Sequence, residues 1–119
     1  MINIILILTI HFIADFLCQS RTMATNKSKS LYWLTLHVLV YATVTTLCWI
    51  QFDFNPMIIG WVWLATFTTH WVTDFITSKL TTYFYLKNNM FWFFGIVGLD
   101  QLIHGITLLF TYNYLIKTI

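Results

Sequence analysis

Apolar residues gather along this chain into four stretches of roughly 20, near residues 2–20, 31–51, 57–80 and 91–115. Each has the length that about 30 Å of hydrocarbon demands of a helix. The polar breaks between them are short: "RTMATNKSKS", "QFDFNP", with Pro56 suited to a first helical turn, and "YLKNNM". Breaks of this length make successive helices antiparallel neighbours. The pattern predicts a single all-α domain over residues 1–119, an integral membrane protein built as a four-helix transmembrane bundle.

The apolar stretches are interrupted in a regular way. Polar side chains recur at the three- to four-residue spacing that places them on one helical face. His11, Asp15 and Gln19 form one stripe, and His37, Tyr41 and Thr45 a second. Thr66, His70, Asp74 and Ser78 form a third, and Asp100, His104 and Thr107 or Thr111 a fourth. "HFIADF" at 11–16 returns as "HWVTDF" at 70–75, and "DQLIH" at 100–104 carries the pair in reverse. The fourth helix also runs opposite to the first and third, so all three pairs keep the same vertical order. At 1.5 Å per residue, His37 lies about 9 Å beyond its helix start and the aspartates about 8–15 Å from the inner ends. One layer of the bundle can hold them all as a polar His/Asp core.

Composition agrees with the pattern. Hydrophobic residues fill 59% of the chain and charged ones 8%, against about 25% charged in a soluble domain. Six basic and four acidic side chains provide no basic stripe for a nucleic acid. Arg21, Lys27 and Lys29 follow the first helix and Lys79 and Lys87 the third, whereas the intervening loop has only Asp53. The positive-inside rule therefore puts both termini outside, with Lys117 dissenting. Tyr83, Tyr85 and Trp92 on the basic side, and Trp49 and Trp61 on the other, suit interfacial belts. The first stretch lacks the basic n-region and cleavage site of a signal peptide, so it is expected to stay. Cys18 and Cys48 fall at opposite ends of their helices and are expected to be free thiols. The sequence has no cysteine pair with zinc-site spacing, no Gly-rich phosphate loop and no Gly-x-Ser-x-Gly elbow.

A lone membrane histidine ordinarily packs and hydrogen-bonds to a neighbouring helix, and His37 by itself would suggest no more. Three matched His/Asp pairs ask for a stronger cause. Each mid-helix aspartate costs about 2.5–3.5 kcal/mol on the insertion scale, so three cost about 8–10 kcal/mol unless neutralised. No Lys or Arg falls in mid-span, so the neutralising partner is expected from outside the chain. A divalent cation fits. Imidazole with carboxylate favours zinc, with manganese or iron as alternatives, whereas calcium and magnesium prefer all-oxygen sites. The candidate ligands are His11, Asp15, His37, His70, Asp74, Asp100 and His104. One ion, with some aspartates orienting the histidines, or two ions with a bridging hydroxide both satisfy the charge.

The same residues carry a resemblance. "HFIADFLCQS", "MATNK", "LHVLVY", "HWVTDFITSKL" and "GLDQLIHGITLL" follow in an order that resembles small phage and bacterial membrane proteins catalogued as a domain-of-unknown-function family, DUF3307, over almost the whole chain. More distantly the chain is similar to membrane-bound metal-dependent hydrolases, polytopic proteins with His and Asp motifs in their helices. The resemblance implies a site made of the seven candidate ligands, with Gln19, Lys79 and Gln101 at accompanying positions. It also implies the inner membrane of a bacterium or of a phage-infected host. Tyr41 stands where relatives are expected sometimes to carry another histidine, which would leave this chain one ligand fewer.

Together these features point to a membrane-embedded metal-dependent hydrolase acting on a lipid or other membrane-borne ester or phosphoester. The metal would activate water at neutral pH, and whichever of Asp15, Asp74 or Asp100 is not fully engaged in ligation would serve as general base. One alternative is a metal-ion or proton pathway, since intramembrane Asp and His also mark transport routes. Against it, "MINIILILT" and "IIGWVWLA" leave the other side apolar. A second alternative is a structural protein whose helices a metal pins together. The expected partners are the bilayer and a lipid substrate, with homo-oligomerisation open.

Overall fold

The computed structural model describes residues 2–51 and 55–116, with side chains at 4–51 and 55–115. They form five α-helices and, among the described residues, no strand: α1 Ile2–Phe12, α2 Arg21–Asn26, α3 Leu31–Ile50, α4 Ile59–Leu86 and α5 Met90–Thr111. α1 runs on as a π turn, Ile13–Leu17; a 3-10 turn, Pro56–Ile58, leads into α4; and a second π turn, Tyr112–Ile116, ends α5.

Two elements differ from the sequence expectation. The break after the first helix contains α2, because the Ser20 hydroxyl accepts a hydrogen bond from Met23 N at 3.2 Å and caps a short helix. α4 continues past the expected end at residue 80 to Leu86, since no breaker occurs before Asn88. There Asn88 takes a left-handed conformation, φ 53°. Asn88 N bonds to Tyr85 O at 3.0 Å and Asn89 N to Phe84 O at 2.9 Å, which closes the helix as a Schellman motif. The Asn89 side chain then accepts from Trp92 N at 3.3 Å and starts α5. Asn55 caps the turn at Pro56 in the same way, accepting from Met57 N at 3.0 Å. Asp53 and Lys117, on which the orientation argument drew, lie outside the described residues.

α4 is the spine of the bundle and packs along α3 and α5; α1 rests against α5 and α3, and α2 against α3. The α3–α4 seam carries two indole–hydroxyl rungs. Trp71 Nε1 donates to Thr35 Oγ1 and Trp63 Nε1 to Thr43 Oγ1, both at 3.2 Å. Because 63 to 71 and 43 to 35 are equal steps in opposite directions, both rungs enforce the same antiparallel register.

The interior inverts the usual distribution of side chains. His11, Asp15, His37, His70, Asp74 and His104 are all buried, while Ile5, Leu17, Trp61, Leu86, Phe91 and Phe94 are exposed. Ile7, Ile10, Trp49, Ile58, Val62 and Leu108 form an apolar floor at one end. The polar layer lies above it. Two segments, Leu31–Ile50 and Met90–Leu115, are long and apolar enough to cross a membrane, and Ile4–Leu17 is apolar but shorter. Cys18 and Cys48 are free thiols.

Candidate metal centre

Cys18 N bonds to Ile13 O at 3.0 Å, a five-residue span that makes the turn after α1 one residue wider than an α turn. Asp15 sits in this turn, buried, with its carboxylate directed to the bundle interior. α3 supplies His37 and Tyr41 one helical turn apart, α4 supplies His70 and Asp74, and α5 supplies Asp100 and His104.

Four buried donor atoms converge from three elements: Asp15 Oδ1, His37 Nε2, His70 Nε2 and Asp74 Oδ2. His37 Nε2 lies 3.1 Å from Asp15 Oδ1, 3.2 Å from His70 Nε2 and 3.3 Å from Asp74 Oδ2. His70 Nε2 is 3.5 Å from each of the two carboxylate oxygens. Tetrahedral ligands about 2.0–2.2 Å from a zinc-sized ion stand about 3.3–3.6 Å from one another. The observed separations are close to that edge length. His37 and His70 share a hydrogen bond, whereas Asp15 Oδ1, held at ion-pair distance from both, is buried with no hydrogen bond of good geometry among the described residues. The buried His/Asp cluster can hold a metal ion.

A second group, Asp15, Asp100 and His104, adjoins the first. Asp74 spans the two: its Oδ2 faces His37 and His70, and its Oδ1 lies 3.0 Å from His104 Nε2. Asp100 Oδ1 accepts from the Thr77 hydroxyl and lies 3.4 Å from His104 Nε2, while its Oδ2 accepts from Gln101 Nε2 at 3.0 Å. Ring stacking fixes the imidazoles: His70 lies between Tyr41, 3.7 Å away centroid to centroid, and His104, 4.0 Å away.

His11 stands apart from both groups of converging donors. Its Nε2 pairs with Gln101 Oε1 and its Nδ1 with the Tyr41 hydroxyl, both at 2.9 Å, and Asp15 Oδ2 is 3.7 Å away. Because an amide oxygen only accepts, His11 Nε2 carries the proton and Nδ1 accepts from Tyr41. Gln101 in turn reaches Asp15 Oδ2 at 3.4 Å. His11, Tyr41 and Gln101 thus orient the donors next to them. Tyr41 fills a hydrogen-bonding and stacking place in the site, which its position in the His37 stripe had hinted at.

The model of a family described as a protein of unknown function, DUF3307, matches residues 3–119. The chain belongs to the DUF3307 family. No curated protein and no solved structure matches it. Every residue of the centre falls inside the matched region of this DUF3307 chain.

The expectation that no internal cation reaches the aspartates is overturned. Lys27, at the end of α2, places Nζ 2.7 Å from Asp74 Oδ2. Sequence position hid it: Lys27 belongs to a polar break, and only the return of α2 along α3 brings its long stem over the site. Burial alone would lower the pKa of its ammonium, but the carboxylates of Asp74, Asp15 and Asp100 outweigh that and raise it above the usual lysine value. Three carboxylates and one ammonium leave about two negative charges, which one divalent ion balances. Thr77, the partner of Asp100, carried no sequence signal beyond lying beside the stripe. Lys79 in this DUF3307 chain points elsewhere, 3.6 Å over the Phe75 ring. Beside the centre lies a cavity of about 160 Å³, lined in part by Asp15, Gln19, Lys27, Ser78, Asp100 and Gln101.

Proposed function

We propose that the protein is a membrane-embedded zinc-dependent hydrolase. In this reading Asp15, His37, His70 and Asp74 hold the ion, and the substrate is an ester or phosphoester borne by the membrane. The convergence of four buried donor atoms carries the metal-binding part of the proposal, and hydrolysis requires in addition that the ion admit water as a further ligand, as catalytic zinc can. Two imidazoles and two carboxylates at their observed spacing suit zinc better than manganese or iron, which take more ligands.

The membrane part of the proposal rests on the inverted interior. Side chains such as Ile5, Trp61 and Phe91 face outward, where lipid would cover them at no cost, and the charged groups face one another. In the proposed bundle α1, α3, α4 and α5 span the inner membrane. Arg21, Lys27, Lys29 and Lys87 mark its cytoplasmic end, so both termini lie outside.

A bound divalent ion would supply activation of water at neutral pH and charge to stabilise the transition state. The chain's own residues handle the proton. Asp15 and Asp74 are engaged as ligands, which leaves Asp100 as general base. Its side chain is 14% exposed against 1% for Asp74, and it lines the cavity from which water arrives. Thr77 and Gln101 hold its two oxygens in place. His104, 3.4 Å from Asp100 and 3.0 Å from Asp74, connects the base to the ligand set. The transport alternative is disfavoured by the apolar cluster of Ile7, Ile10, Trp49, Ile58, Val62 and Leu108, beside which, among the described residues, only isolated threonines continue the polar stripes and no charged group is buried.

Metal analysis of detergent-purified protein, paired with a chelator-sensitive hydrolysis assay on phospholipids and carboxylic esters, tests the proposal. About one zinc per chain and chelator-sensitive turnover are expected. Less than about a tenth of an equivalent would overturn the centre, and full zinc without turnover on either class would favour a purely structural ion.

A further inference from the structure

Resting on the metallohydrolase reading, we propose that the cavity beside the centre is a phosphate-binding site, with Lys27 as its anion-binding residue and Ser78 and Gln19 as hydrogen-bonding partners. The substrate is then a phosphoester and not a carboxylic ester.

The argument begins with unsatisfied groups. Ser78 is 7% exposed, and its Oγ has no hydrogen-bond partner among the described residues. Gln19 Oε1 is buried and unpartnered in the same sense. Both residues line the cavity that Lys27 also lines. Buried polar atoms are ordinarily paired, so two unpaired ones on residues that line a single cavity point to a polar occupant, which a rotation of either side chain would reach. Its volume of about 160 Å³ would hold about five waters at about 30 Å³ each, or one phosphate group with its first ester substituent.

Charge selects between those ester classes. A lysine ammonium is a compact point charge suited to phosphate oxygens. An uncleaved carboxylic ester is neutral, whereas a phosphoester brings one or two negative charges that can share the Lys27 ammonium with Asp74. The Ser78 hydroxyl can donate to a phosphate oxygen, and Gln19 Oε1 can accept from a protonated oxygen or a headgroup hydroxyl. Asp15 and Asp100 also face the cavity, and their repulsion is relieved only when metal is bound. With one divalent ion the three carboxylates and Lys27 sum to about zero, so a phosphate group meets no net repulsion there. In the reaction, a bond forms between phosphorus and the water oxygen while the bond to the ester oxygen breaks. One water proton passes to Asp100 and then to the leaving oxygen, and no oxidant or reductant is required.

Inorganic phosphate titrated into zinc-loaded protein in detergent, followed by phosphorus NMR line width with zinc measured on the same samples, tests the assignment. Wild-type protein should bind phosphate in the millimolar range or tighter. Lys27→Met should weaken binding at least about tenfold with zinc retained, Lys27→Arg should keep it within about threefold, and Ser78→Ala should weaken it several-fold. Ser78→Ala decides the matter if Lys27→Met does not fold. Glycerol phosphate and dihexanoyl phosphatidic acid distinguish the source: a tenfold preference for the latter means a lipid headgroup, and equal binding means a soluble phosphate ester. Zinc-loaded protein that ignores phosphate, is unaffected by both Lys27→Met and Ser78→Ala, or releases phosphate to an equal concentration of acetate overturns the phosphate site and leaves the metal centre standing. Protein without zinc overturns the metal centre, and with it the phosphoester assignment.

Discussion

Lys27 Nζ approaches to 2.7 Å of the Asp74 oxygen that also faces His37 and His70. One carboxylate oxygen thereby serves both the chain's own cation and the position proposed for the ion. The ammonium keeps Asp74 compensated when no metal is present, and it competes mildly when one is.

Lys27→Met separates these two effects. The variant should bind its first zinc as tightly as wild type or more so, because the remaining charge around Asp74 is more negative. In chelator the same variant should be destabilised by about 3 kcal/mol, the order expected when a buried carboxylate loses its partner. Thermal unfolding with and without chelator, together with competition against a zinc dye, reads both quantities. Loss of zinc from Lys27→Met would contradict this picture.

His37 and His70 should act as a unit. Either alanine variant should lose most of its zinc by elemental analysis, and the double variant should lose scarcely more, because the shared centre is already gone. His11→Ala should differ from both. Its nitrogens are occupied by Tyr41 and Gln101, so its loss should weaken zinc affinity about 10–100-fold without abolishing binding. Equal losses for all three histidines would refute the division of roles.

The aspartates should divide in the same way. Asp15→Asn and Asp74→Asn should insert normally yet lose zinc, whereas Asp100→Asn should retain it and lose hydrolysis by about 10²–10⁴-fold, the usual worth of a general base. An Asp100→Asn variant with wild-type turnover would remove Asp100 from the proposed chemistry.

Orientation can be read with single cysteines in a background lacking Cys18 and Cys48. Met57 is 84% exposed at one end of the bundle, and Thr22 is exposed on α2 near the other. Thr22 is a better position than Ser28, whose hydroxyl is half-buried and accepts from Thr82 at 2.9 Å. An impermeant thiol reagent added outside should label Met57→Cys and spare Thr22→Cys. The opposite pattern would invert the bundle.

The helical period made the polar stripes legible in advance. Thr66, His70, Asp74 and Ser78, like His37, Tyr41 and Thr45, are indeed buried side by side along their helices, because a repeat of three to four residues allows no other common face. The start of α3 at Leu31 was legible for the same reason: polar residues give way there to an unbroken apolar run. Lys27 was not legible, since its place depends on α2 folding back, and α2 itself is too short to leave a periodic signal. Nor did the sequence distinguish His11 from the other histidines. All four share a layer, but which nitrogen meets which oxygen is settled by Tyr41, Gln101 and the wider turn at Ile13–Leu17. That turn has no marker in "IADFL", where no glycine or proline announces a change of pitch.

The two tryptophan rungs between α3 and α4 have a mechanical consequence. Sliding one helix along the other would break both at once, so α3 and α4 behave as a single rigid plate bearing His37, His70 and Asp74. Asp15 is carried by the segment that leads to α2, on the other side of the centre. Breathing of the cavity therefore falls to the elements that face this plate, the Asp15 segment and α5, whose Asp100 and Gln101 also line it. An ion gripped by donors on both sides would act as a clasp, holding α1 shut against α3 and α4 for as long as it stays bound.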